Sequence, residues 1–249
     1  MVLIYFALGT ILASFLNALA YRYRNGSEID NIWTTPSHCE SCKKTLLWYD
    51  LIPLLSFLYT RGKCSKCGKE VFWYYPLSEA LLGLSFSLFY IYEISVISYV
   101  VLLILFLFSY WDVKDKAIPK GFTDVFIILS LLYSVFSLLY SFETDKLLSF
   151  AVVVFLFLVL YLLNFRKEKI GVGDMILLSS IFLISGLKTG IATIITTISM
   201  AGLFAIYLVI IDRRNRKRYI PLVPFMTLGY VIASILVAVY SLTTIFNLI

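Results

Sequence analysis

A helix needs about 20 predominantly apolar residues to cross a hydrocarbon core ~30 Å thick. Lipid leaves the backbone no other way to satisfy its hydrogen bonds except a closed barrel. Runs close to that length recur along this chain, at 2–20, 77–95, 97–111, 122–141, 147–164, 175–187, 189–211 and 222–246. Hydrophobic residues make up 61% of the chain and charged residues 14%, far from the soluble average. The pattern predicts an all-α polytopic membrane protein of about eight transmembrane helices. The run at 175–187 is short, and Glu93 and Ser95 alone mark the boundary between the second and third spans. Met1-Val2-Leu3-Ile4 lacks a basic leader region and a small-residue cleavage site, so the first run reads as a retained span.

Lysine and arginine orient the bundle. With the 21–75 loop placed in the cytoplasm and sides alternating from there, the cytoplasmic loops hold all but Lys146 and Lys188 of the 21 basic residues. Both termini then face outward. The net charge of +6 reads as topology and attraction to anionic lipid head groups, not as a nucleic-acid surface. The chain divides into a first helix (1–20), an extramembrane segment (21–75) and a membrane domain (76–249).

The cysteines all lie in the 21–75 segment, as Cys39-Glu-Ser-Cys42 and Cys64-Ser-Lys-Cys67, two C-x-x-C pairs 21 residues apart. Four thiolates at this spacing suit a tetrahedral structural zinc site, although the gap slightly exceeds the usual range. Two disulfides would be the alternative, but the loop is assigned to the reducing cytoplasm. A redox C-x-x-C would be another, without a thioredoxin-like pattern around it. His38 reads as a neighbour of the site. A loop this poor in aliphatic residues needs metal to hold it together, and Trp48, Tyr49, Trp73, Tyr74 and Tyr75 suit the head-group level.

Gly171-Val172-Gly173-Asp174 precedes the short apolar run. Alone, it fits a helix start capped by Asp174 as well as it fits a working carboxylate. A second acid changes the weighting. Asp112 ends the third span, and with two spans between them both acids emerge on one side. Two carboxylates brought together in a partly dry site cannot both ionise easily, so one serves as general acid while the other activates water. Asp115 and Asp124 read as solvated loop charges, with Asp124 also a possible cap, and Asp212 as a neutraliser of Arg213 and Arg214. One histidine and metal-bound cysteines leave no Ser/His/Asp or Cys/His arrangement.

Ser14-Phe15-Leu16-Asn17, the two C-x-x-C pairs flanking Trp48–Ser56, Tyr75-Pro76-Leu77 with Glu79, Asp112 seven residues before Pro119, Gly171–Asp174, and Ile220-Pro221 with Pro224-Phe225 follow one another in order. In these the chain resembles the type IV prepilin peptidases, membrane aspartic proteases of the G-x-G-D group that also N-methylate the new pilin terminus. It departs from their pattern in lacking prolines inside the cysteine pairs, in Lys120 after Pro119, and in Met175-Ile176 after the second aspartate.

The resemblance implies cleavage of prepilin or pseudopilin leaders at the cytoplasmic face of a bacterial inner membrane, with Asp112 and Asp174 sharing the acid and base roles. It implies S-adenosylmethionine as methyl donor, for which no Gly-rich nucleotide loop is visible. Glu79, Asp50 and the stretch around Asn17 are candidate leader or methyl-donor contacts. Relatives that cleave without methylating generally lack the cysteine domain. A non-enzymatic scaffold or transporter with a zinc-stapled loop is the reading from another class, and it predicts that both aspartates are dispensable. The oligomeric state is not encoded in any of these features.

Overall fold

The computed structural model describes residues 1–26, 35–140, 144–164, 171–212 and 219–246. Among them are eight α-helices and no extended sheet: α1 (Val2–Arg24), the short α2 (Leu55–Tyr59), α3 (Tyr74–Ile91), α4 (Val96–Asp115), α5 (Lys120–Tyr140), α6 (Thr144–Asn164), α7 (Val172–Ile211) and α8 (Val223–Phe246). Five of them, α1, α4, α5, α7 and α8, are long and apolar enough to cross a membrane, and the chain is a multi-pass membrane protein. The chain forms two compact units, Met1–Glu93 and Ile94–Ile249.

In the first unit α1 and α3 run antiparallel. Tyr5 stacks on Tyr90 with ring centroids 4.5 Å apart, and Asn17 Nδ2 donates to Ser78 Oγ at 2.9 Å. Between these contacts the helices meet backbone to backbone. A Cβ on Gly9 would stand 2.8 Å from both Gly83 Cα and the Leu82 carbonyl oxygen. Within lipid, apolar side chains gain little by leaving their surroundings, so such close small-residue packing supplies much of the association energy. The connection between the helices carries α2, a 3₁₀ turn at Trp48–Leu51 and two small cysteine-bearing hairpins. Neither the 3₁₀ turn nor α2 has a buried residue, as expected of a segment that cannot form its own core.

The second unit is organised around α7, which packs against α5, α6 and α8; α4 packs on α8 and touches α7. At 40 residues α7 would be ~60 Å long if straight, twice the hydrocarbon thickness. It is not straight: Gly186 breaks it with φ 83° and ψ 176°, a conformation glycine tolerates. A Cβ on Gly190 would lie 2.5 Å from the Phe182 ring, eight residues back, a contact that a straight helix rising 1.5 Å per residue would not make. The chain therefore turns sharply at Gly186, close to the division expected between the runs at 175–187 and 189–211. On the far side α8 seats Gly229 against Thr196 and Thr197, and Thr196 Oγ1 donates to the Gly229 carbonyl at 3.0 Å. The soft boundary near Glu93 also resolves: α3 ends at Ile91, Glu93 has φ 52°, and Ser95 is the N-cap residue of α4.

Substituting Gly9 by Ala must push α1 off α3, because the added carbon meets backbone. We expect a loss of about 1–3 kcal/mol, read as a lower thermal midpoint in detergent. Gly121→Ala, where nothing lies within 4 Å, is the matched control and should not destabilise. Equal midpoints for the two variants would remove the close-contact account.

Candidate functional site

Asp112 lies in the last turn of α4 and is 2% exposed. Its Oδ2 accepts the backbone N–H of Val223, the first residue of α8, at 2.8 Å, and the Leu222 N–H also donates to it. The first N–H groups of a helix have no partner within the helix and carry the positive end of its dipole. Here a carboxylate from a helix more than a hundred residues earlier satisfies them. Pro224 fits the same design, since a proline in the first helical turn gives up an N–H that would otherwise stand unpaired. The N–H groups that hold Asp112 thus lie between the late Ile220-Pro221 and Pro224-Phe225 pairs, a connection invisible in the one-dimensional pattern.

Asp174 occupies the first turn of α7, where the helix dipole also favours a carboxylate. It does not cap: Gly171 is the N-cap residue and no side-chain capping bond forms. The glycines have separate tasks. A Cβ on Gly171 would stand 3.2 Å from Asp174 Oδ2, so the carboxylate folds back over this position, and one on Gly173 would face Ile118 at 3.7 Å. Ile118 belongs to the connection that follows Asp112, so the two acid-bearing segments meet here. Asp174 lies within electrostatic reach of Asp112.

Two further side chains border this pair. Tyr219, about half exposed, feels both charges; burial first, then Asp112 and Asp174, raises its phenol above the usual range. Lys116 ends α4 in a left-handed conformation (φ 54°), its N–H donating to the Asp112 carbonyl at 3.0 Å. Its Nζ stands 5.7 Å from the Tyr219 ring centroid. Trp111 packs against Phe122 with centroids 5.1 Å apart, tying the end of α4 to the start of α5. Tyr219 and Lys116 escaped the sequence reading because neither a lone tyrosine nor a loop lysine carries a pattern. The expected pairing of Asp212 with Arg213 and Arg214 lies outside the described residues.

The cysteines form a separate cluster in the first unit. All four sulfurs lie within 4.8 Å of one another, with Cys39–Cys67 at 4.0 Å and Cys42–Cys64 at 3.9 Å. Four sulfurs bound at about 2.3 Å to one tetrahedral ion stand roughly 3.8 Å apart, whereas a disulfide requires about 2.05 Å. The set therefore fits a metal ion and contains no disulfide. The two halves repeat one turn. Cys39 N–H donates to the Lys44 carbonyl and Lys43 N–H to the Cys39 carbonyl; Cys64 N–H donates to Lys69 and Gly68 N–H to Cys64. Backbone N–H groups also aim at the sulfurs, and that of Cys67 leads in pulling the Cys64 thiol down to about 6. His38 stays outside the cluster, edge-on to Tyr21.

Asp50 has a structural task, capping Leu47 N–H at 3.1 Å and pairing with Lys44 at 3.5 Å. Asn17 and Glu79 are both buried, on α1 and α3. Glu79 Oε2 accepts the Leu54 N–H at 2.9 Å.

The second unit thus carries two carboxylates at the ends of membrane helices, and the first unit carries a tetra-cysteine hairpin pair, which defines the class as a multi-pass membrane protein with a cysteine-bearing segment. Residues 7–94 match the Bacterial Peptidase A24 N-terminal domain, and residues 99–209 match the Type IV leader peptidase family. A Prepilin leader peptidase/N-methyltransferase of Vibrio cholerae is 30% identical over 72% of this chain and 75% of its own length. Proteins of the same name from Bacillus subtilis and Pectobacterium carotovorum are 27% and 26% identical. They cover 94% and 84% of this chain and 93% and 82% of their own lengths, respectively. No solved structure matches. The chain belongs to the type IV leader peptidase family.

The repeated cysteine turn leaves one residue strained. The position after the second cysteine has φ 70° at Gly68 and φ 56° at Lys43, whose side chain is exposed. Replacing Lys43 by Gly should stabilise the cysteine hairpins by about 1 kcal/mol, the cost of a left-handed L-residue, and slow proteolysis within 35–75. Unchanged or faster cleavage would show that Lys43 is not strained.

Proposed function

We propose that this protein is a membrane aspartic endopeptidase that removes the leader of prepilin-like substrates and N-methylates the new terminus. One observation carries the peptidase half: two carboxylates from neighbouring helix ends within electrostatic reach of each other, one of them buried and held by a helix N-terminus. Such a pair can hold one proton between two acids. The protonated member polarises the scissile carbonyl while the other takes a proton from the attacking water; the roles then reverse to protonate the leaving amine. No metal or covalent intermediate is needed for that sequence, and Asp112 and Asp174 share it.

In this reading the chain crosses a bacterial inner membrane about eight times, with α7 contributing two passes. The lysine and arginine bias puts both aspartates and the cysteine segment 21–75 at the cytoplasmic face. The substrate's apolar N-terminal helix would lie in the bilayer, its scissile bond delivered to the depth of the dyad within the membrane domain 76–249. Cys39, Cys42, Cys64 and Cys67 would hold a structural zinc, supported by sulfur spacing and by a segment with no core of its own. Methylation, which we associate with this cysteine segment, would draw its methyl group from S-adenosylmethionine.

The test is the N-terminal mass of a prepilin co-expressed with wild type, Asp112→Asn or Asp174→Asn. Wild type should yield a shortened product bearing one added methyl. Each variant should insert normally yet lose at least about a thousandfold of the cleavage rate, as for removal of one member of a catalytic set. Cleavage retained by both single variants would refute the dyad.

A further inference from the structure

A second buried acid among the described residues lies in the first unit, where the mechanism above has no use for it. Glu79 is 8% exposed in α3 and has no lysine or arginine partner among the described residues. An ionisable group on a membrane-packed helix is costly to keep and calls for a partner. Those it has are neutral, the Leu54 N–H on Oε2 and the Ser14 hydroxyl. Asn17, one turn along α1 from Ser14, is 2% exposed. Its Nδ2 donates to Ser78 Oγ, and Ser78 donates in turn to the Tyr75 carbonyl at 2.9 Å. Because the Ser78 proton is already committed, Ser78 can only accept from Asn17, which fixes the amide with Oδ1 facing away. That Oδ1 is buried and has no hydrogen-bond donor among the described residues. Buried acceptors are rarely left so in native proteins.

The cover over Glu79 is strained as well. Leu54 has φ 61° and ψ −47°, a conformation costly for a residue with a side chain, and its N–H rests on the Glu79 carboxylate. Strain of this kind persists where surroundings enforce it, and it gathers at ligand clamps and switch regions.

We infer that Ser14, Asn17 and Glu79 form a site for a primary alkylammonium, closed in this structure by the Leu54 turn. The acceptor capacity left over is that of one amide oxygen and the Glu79 carboxylate lone pairs that Leu54 and Ser14 do not use. An ammonium brings three N–H donors and a charge that complements Glu79. A guanidinium fits less well, since its fork prefers both carboxylate oxygens and one is taken. Calcium needs six to eight oxygens and does not find them here. On the proposed function, two ligands carry such a group: the new N-terminus of the cleaved substrate and the aminoacyl end of the methyl donor. The site deepens the transferase half of that reading and rests on it for the identity of the ligand.

Binding to the intact detergent-solubilised protein tests this. The probes are a mature-type pilin peptide with free or acetylated N-terminus, and S-adenosylhomocysteine against its deaminated analogue. For whichever ligand the site holds, masking or removing the amine should weaken binding to wild type about tenfold or more, the worth of one or two charge-assisted hydrogen bonds. In Glu79→Gln, which keeps an acceptor for the Leu54 N–H, and in Asn17→Ala, that ratio should shrink below about threefold. A purely structural role would lower binding of both forms alike and leave the ratio unchanged. An unchanged ratio in both variants, or no discrimination by wild type in either ligand pair, overturns the site. Discrimination by a wild-type protein whose product gains no methyl would uphold the ammonium site and remove the transferase reading instead.

Discussion

The N-terminus of α8 is what holds the second unit's buried acid in place. A carboxylate at 2% exposure would face a desolvation cost of several kcal/mol if left unpaired. Among the described residues Asp112 meets that cost with backbone N–H groups. A lysine or arginine partner would hold the acid permanently as a carboxylate and occupy its lone pairs. Helix N–H groups stabilise it more gently and leave one oxygen for other work. The same bond fixes α4 against α8, and Ser109 to Thr227 at 2.8 Å reinforces the contact one turn deeper.

The first unit repeats the solution with other parts. Glu79 is likewise buried in a helix, and it is likewise held by a backbone N–H, supplied by the strained Leu54 turn. Each unit therefore buries an acid with no basic partner among the described residues, and in each the donor sits on a chain segment that connects or begins helices. Where no core exists, the cysteine hairpins have converging sulfurs that fit a metal ion in place of buried aliphatic side chains.

Much of this could be read from residues alone, because the strongest signals are local. Apolar runs give helices, two C-x-x-C pairs give converging thiols, and an even number of spans between Asp112 and Asp174 allows them to meet. What stayed hidden depends on partners distant in sequence or on backbone angles. That Gly9 and Gly83 touch is not implied by either glycine. That Val223 serves Asp112 follows only when the start of α8 arrives beside the end of α4. Asp50, a candidate contact from its place in a motif, also caps the Leu47 N–H, a task common to aspartates in any turn that its place in the motif does not reveal. Lys43 hides its left-handed angle because glycine marks only the second of the two equivalent turns.

The most direct test is the leader-cleavage rate of Val223→Pro. Proline is accepted at the first helical position but cannot donate an N–H, so the change removes the 2.8 Å bond to Asp112 and replaces the fully buried valine side chain by an apolar ring of similar size. A hydrogen bond to a charged group is worth about 1.5–3 kcal/mol. The account predicts a rate about ten- to a hundredfold below wild type, in a protein that melts within a few degrees of it. Wild-type cleavage by a well-folded Val223→Pro protein would contradict it, and would mean that the start of α8 does not govern Asp112.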